Sequence, residues 1–206
     1  MYESLTFTGG VHKSEEIKEL IEDLGGFILQ ESIQQMELVL NIAIPIIGDT
    51  MARKTFNEKL QDSKDMPKIV IVEDDRSIER YGGKDMLIAP PLEYNEIMSE
   101  IPEGKLITIT QIRDFLADKH GADFTCPMTA GIFINLVAQA SNERDFDEIP
   151  YWRTLKRDGE LNPKYPGGIE RQKEMLEAEG HEIYTRGRKN IRYFVKDFEN
   201  NLYDLL

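Results

Sequence analysis

"DEIPYWRTLKRDGELNPKYPGG", Asp147 to Gly168, is the stretch whose reading decides the fold. A proline is followed at once by Tyr151, Trp152 and Arg153, and this is the chain's single tryptophan. A charged turn at Arg157-Asp158-Gly159 comes next, and then a loop closed by Gly167-Gly168. Rings and a guanidinium set between two turns either fill a pocket or line one.

Upstream, Thr110 is expected to cap a helix over "QIRDFLADKH", with Ile112, Phe115 and Leu116 inward. After the turn at Gly121, Thr125 is expected to cap a second helix from Pro127 to Ala140, because proline in a first turn forfeits no hydrogen bond. Helix, short turn and helix make the pattern of a helix-turn-helix unit. Downstream, Ile169 to Glu179 reads as a third helix stopped by Gly180. "EIYTRGRKNIRYFV" alternates around a glycine-centred turn as a β-hairpin. Three helices followed by a hairpin resemble a winged helix.

The order of five phrases carries a family resemblance: "IPEGKLITI", "MTAG" in the second helix, "IPYWRTL", "RDGEL" with "YPGG", and "MLEAEG". From Ile101 to Gly180 the chain resembles the alkylguanine-DNA alkyltransferases, which flip an alkylated guanine out of the duplex and take its alkyl group onto a cysteine. The resemblance implies their fold but not their chemistry. It aligns the acceptor cysteine with Tyr151, the activating histidine with Trp152, the intercalating arginine with Met128 and the phosphate-rotating tyrosine with Ile109. The family's asparagine is expected to be lost near Val137. A phenol is a poor alkyl acceptor and an indole is no base. The chain is therefore more similar to the non-catalytic alkyltransferase-like proteins, which bind damaged DNA, and to a branch carrying Pro-Tyr-Trp-Arg. The resemblance implies DNA contacts at Thr125, Met128 and Thr129 and at Tyr151, Trp152 and Arg153. The two rings either offer flat faces to an extruded base or plug an abandoned pocket.

The hairpin adds Arg186, Arg188, Lys189 and Arg192, with Lys196 just beyond, interleaved with Tyr184, Tyr193 and Phe194. Such a cluster suits a phosphate backbone, or else guards an exposed edge by charge. Cys126, the single cysteine, sits where a helix dipole would favour a thiolate, but no base is placed to activate it. Packing is its expected role, with alkyl transfer the remote alternative. His12, His120 and His181 have no ligand spacing, and Asp74-Asp75 is expected in a solvated loop. No metal or cofactor is expected.

Farther out, residues 51–100 read as a linker with a lead-in strand "KIVIV", a loop-rich stretch and a helix from Leu92 to Ile101. Residues 1–50 read as β-α-β-β: strands at "SLTFTGGV", "FILQESI" and "MELVLNIAI", and a helix over "KSEEIKELIEDL" capped by Ser14. Half a sheet layer of this kind needs a partner and suggests a homodimer through the N-terminal segment. The fold class is therefore α/β (α+β), with residues 101–206 as the alkyltransferase-like domain. The net charge of −13 excludes indiscriminate coating of nucleic acid. The acidity is concentrated before Glu103, with 20 acids against 10 bases; from there on the counts are 18 and 15, leaving room for a basic face. The longest apolar run, Leu38 to Ile47, is too short to span a bilayer, and the expected location is cytoplasmic. The expected function is non-catalytic DNA binding, with a protein-interaction module as the alternative.

Overall fold

The computed structural model describes the backbone of residues 2–10, 27–34 and 37–45, and all of residues 54–144 and 146–205. The chain divides into two compact units, Met1–Arg53 and Lys54–Leu206. In the first unit, strands β1 (Tyr2–Gly10), β2 (Phe27–Gln34) and β3 (Glu37–Pro45) form an antiparallel sheet in the order β1-β3-β2. The register of β2 shifts between Ile28 and Gln30. The three expected strands are present; the expected helix at 13–24 and His12 lie outside the described residues.

The second unit starts at Lys54 rather than at 101, because the stretch read as a linker is structured and packed. Helix α1 (Phe56–Gln61) opens with a capping box between Thr55 and Glu58, and its Leu60 is fully buried. The Glu143 carboxylate accepts from the amides of Phe56 and Asn57, both at 3.0 Å, and so fills the open donors of the first turn. Strand β4 (Lys68–Ile71) then leads into helix α2 (Asp75–Tyr81). Asp74, expected in a solvated loop, instead caps α2 by accepting from Ser77 N at 2.9 Å. Strand β5 (Asp85–Ile88) pairs antiparallel with β4, and helix α3 (Pro91–Ser99) buries Tyr94, Ile97 and Met98.

The strand read at Gly104–Ile109 shortens to β6 (Ile107–Thr108), and helix α4 (Ile109–His120) begins one residue later. Its cap is Thr108, not Thr110, because Gln111 stands at the third helical position and completes the reciprocal box. Gly121, at φ 66°, ends α4 in a left-handed cap. Strand β7 (Phe124–Thr125) adds parallel to β5. Helix α5 (Pro127–Asn142) follows, with Cys126 rather than Thr125 at the N-cap position. Ala130, Ile134, Val137, Ala138 and Ser141 give α5 one buried face at helical spacing.

Past a loop, Tyr151–Arg153 forms one 3-10 turn, and β8 (Thr154–Leu155) pairs parallel with β6. Leu106 extends this region by bonding to the chain end: its N–H donates to Asn201 O at 2.9 Å, and its carbonyl accepts from Tyr203 N at 2.8 Å. Helix α6 (Gly168–Ala178) and the hairpin β9 (Ile183–Arg186) and β10 (Arg192–Val195) complete the unit. Gly187 turns the hairpin at φ 105°, where a Cβ would strike the carbonyl of Asn190. One contiguous core joins α1, α3, α4, α5, the 3-10 turn and α6.

Removing the Glu143 carboxylate tests whether α1 belongs to this unit. Glu143→Ala should cost about 1–2 kcal/mol, the range of a lost helix cap, by denaturant unfolding. Hydrogen exchange at Phe56 and Asn57 should accelerate, with the α5 core unaffected.

Candidate nucleic-acid interface

The Tyr-Trp-Arg turn faces inward. Tyr151 is 1% exposed and Trp152 7% exposed. Tyr151 stands edge-on to Trp152 at 5.5 Å and to Tyr165 at 5.4 Å between ring centroids, the geometry that aromatic quadrupoles favour. Tyr165 is itself buried, and its hydroxyl donates to Thr154 O at 3.1 Å. Burial, with the nearby Glu148 carboxylate adding to it, raises the Tyr151 pKa and keeps its phenol protonated. Of the two roles the sequence allows these rings, the geometry provides the plug: no flat face is offered to solvent.

Glu179, just beyond α6, holds this turn in place. Its carboxylate accepts from Trp152 Nε1 at 2.7 Å, from Arg153 Nε at 2.9 Å, from a second guanidinium nitrogen of Arg153 at 2.8 Å, and from Gly104 N at 3.1 Å. Arg153 also donates to Ile101 O at 2.6 Å. The side chains of Arg153 and Glu179 are 13% and 9% exposed. Burial by itself would raise the Glu179 pKa; the donors from Arg153, Trp152 and Gly104 outweigh it, and the net shift is downward. Arg153 is thus a brace, with each of its three guanidinium nitrogens donating to a protein partner. Gln172, fully buried, donates to Trp152 O at 3.0 Å and accepts from Asn162 N at 2.7 Å, fixing the loop beyond. Val137, near which an asparagine is missing, is packing; two residues earlier, Asn135 accepts from Asn162 Nδ2 at 2.8 Å, so an amide does bridge α5 to that loop. Glu179 stood in the sequence only as part of the "MLEAEG" phrase at the end of the third helix, with no role, and Gln172 and Asn135 went unmarked, since nothing local singles them out.

Thr125 also leaves the exposed set: it is 1% exposed and its hydroxyl donates to Arg113 O at 2.7 Å. Thr129, half-buried, turns its hydroxyl back to Cys126 O at 3.3 Å. Met128, by contrast, is 73% exposed, and Ile132, one turn on, is 55% exposed. Cys126 is buried and serves packing. His181 is buried with its Nε2 unpartnered among the described residues, and desolvation lowers its pKa. Among the described residues no three His, Cys, Asp or Glu side chains gather as a metal site. Nor, among them, is any helix long and apolar enough to cross a membrane.

The hairpin does present its bases. Arg186, Arg188, Lys189 and Arg192 are exposed. Arg186 and Arg192 stand directly opposite each other in the β9–β10 register, an arrangement that costs stability. Arg192 is relieved by Glu160 at 3.3 Å; Arg186 lies 5.0 Å from the ring centres of both Tyr184 and Phe194. Among the described residues, Arg186, Arg188 and Lys189 form no ion pair. Phe194, read as a candidate surface ring, is 1% exposed and belongs to the interior. A cleft of about 450 Å³ beside the hairpin is lined by Arg157, Tyr184, Arg186 and Phe198 together with Asp158 and Asp197.

Residues 2–72 match the family model of methyl-coenzyme M reductase operon protein C. An uncharacterized protein of Methanocaldococcus jannaschii is 47% identical over 45 residues, which is 22% of this chain and 14% of that protein; the match thus spans about one seventh of the relative's length. Two solved structures resemble 56% of this chain and are covered to 94%, each at a TM-score of 0.39. One is S. pombe Atl1 in complex with damaged DNA containing O6-carboxymethylguanine, at 25% identity, and the other is S. pombe ATL in complex with DNA, at 23%.

The carboxylate clamp makes the unit acid-sensitive in a definite window. The folded pKa of Glu179 lies below its ordinary 4.5, so the stability it contributes is complete above pH 4.5 and is lost as pH falls through the folded value. Glu179→Gln should cost about 3 kcal/mol at pH 7, the low end for breaking a buried pair, because the amide oxygen still accepts from part of the donor set. The gap between the melting curves of the two proteins should close below pH 4.5, followed by the emission of Trp152.

Proposed function

We propose that residues 54–206 form a non-catalytic duplex-DNA-binding module that grips the phosphate backbone with its hairpin and keeps the Tyr151–Trp152 site shut. One observation carries this reading: two arginines opposed across the hairpin, with Arg188 and Lys189 at its tip, held together without enough acid partners among the described residues. A polyanion laid against that tip would relieve the repulsion and release counterions. The helix-turn-helix order of α4 and α5 and the hairpin after α6 support a winged arrangement, with the hairpin as the wing and the exposed start of α5, at Met128, as the second contact. The alkyltransferase-like sequence phrases agree with DNA as the partner. The burial of both rings argues against extrusion of a base into the Tyr151 site, so contact without base flipping, or with a modified base held outside, is the form of recognition supported.

A second reading is a protein-docking surface on α5. Met128 and Ile132 are exposed, and half-buried Leu136 continues the same i, i+4, i+8 stripe, which is apolar where a base-reading helix carries polar groups.

A single titration separates the two. Fluorescence anisotropy with a plain duplex should show binding at low salt that weakens as salt rises. Arg186→Ala/Arg188→Ala/Lys189→Ala should flatten the log–log salt slope by about 3, near one unit for each lost phosphate contact. Met128→Ala/Ile132→Ala should weaken binding without changing that slope if α5 touches DNA, and should leave it unaffected if the stripe serves a protein. Absence of binding at low salt would contradict the proposal.

A further inference from the structure

Strand β4 stands at the end of the β4-β5-β7 sheet, and among the described residues no strand pairs with its outer edge. That edge is short and is guarded only at its entry, by Pro67 and Lys68. Ile69, Val70 and Ile71 are 48%, 38% and 69% exposed, with no proline or charge within the strand after Lys68. The backbone shows which groups are open. Val72 N donates to Lys84 O at 2.8 Å, so the alternation of an antiparallel ladder turns the N–H and C=O of Val72, Val70 and Lys68 toward β5. The N–H and C=O of Ile69 and Ile71 therefore point outward.

We propose that β4 pairs with β4 of a second copy of this chain, antiparallel about a two-fold axis through Val70, joining the two three-stranded sheets into one of six strands. The open groups allow this register, and among those they allow it is the one that pairs both outward-facing residues of each strand. Ile69 of each copy exchanges both hydrogen bonds with Ile71 of the other, and the two Val70 residues meet as a non-hydrogen-bonded pair. The side chains agree with it. Ile69, Ile71 and Leu87 share one face of the sheet, so each exposed isoleucine gains an isoleucine neighbour beside a buried leucine. The charges agree as well. The strand's entry holds Lys64 and Lys68, the latter paired with Asp65 at 2.6 Å, and its exit holds Glu73, Asp74 and Asp75 followed by Arg76, so antiparallel pairing brings Lys64 and the Lys68–Asp65 pair to the other copy's net-acidic exit. An isologous contact of this kind needs only one self-complementary segment, which β4 provides.

Sedimentation of the full chain over a range of concentrations tests the proposal. A reversible dimer is expected, and Ile69→Lys/Ile71→Lys should give a monomer whose far-ultraviolet dichroism and melting are unchanged. Val70→Cys should cross-link to a covalent dimer on mild oxidation, because a non-hydrogen-bonded antiparallel pair brings the two Cα atoms to about 4.5 Å, within disulfide reach. Buried Cys126 should remain free. The cross-link decides the matter even if the lysine variants fold poorly. A monomer at every concentration, a dimer that persists in Ile69→Lys/Ile71→Lys, or a Val70→Cys protein that stays uncross-linked would overturn it.

Discussion

The Glu179 carboxylate is the constraint on which the rest of the second unit depends. It gathers the indole of Trp152, the guanidinium of Arg153 and the amide of Gly104, donors from two separated segments, at the end of α6. Each donor alone contributes modestly; together they outweigh the cost of burying a carboxylate, and removing the acid would strand an arginine, an indole N–H and an amide at once. Because Arg153 also holds Ile101 O, the clamp fixes the entry to β6, and through Leu106 the chain end as well. A single charge thus sets the relative placement of the loop at 102–105, the 3-10 turn and α6.

A site built this way is shut. Both rings after Pro150 are used for packing, Arg153 is fully engaged, and Tyr165 and Gln172 close the far side. In the proposed reading the partner meets exposed features instead: the hairpin tip and the start of α5. The hairpin keeps like charges face to face at a cost to stability, while the rings of Tyr184 and Phe194 hold Arg186 in a defined position.

What could be read from the sequence followed the range of the signal. Pro127, Gly121, Gly180 and Gly187 punctuate locally, and the helices and hairpin between them lie where the sequence places them. Caps needed one more residue. Thr108 precedes α4 and Thr110 falls in its first turn, and only Gln111, three positions after Thr108, chooses between them as the cap; the same spacing joins Thr55 to Glu58 and turns an apparent linker into α1. Asp74, three positions before Ser77, likewise announces α2. The inward turn of Tyr151 and Trp152 was not legible, because it is decided by Glu179, 27 residues beyond the indole it holds. Thr125 looked like a cap by type, yet its hydroxyl is taken by Arg113 O across the helix pair.

Hydrogen exchange on the full chain, with and without a plain DNA duplex at low salt, tests the central claim most directly. The account predicts slowed exchange in the hairpin at 186–192 and in the first turn of α5, with residues 151–153 unchanged. Slowed or quickened exchange at 151–153 with an unaffected hairpin would contradict it.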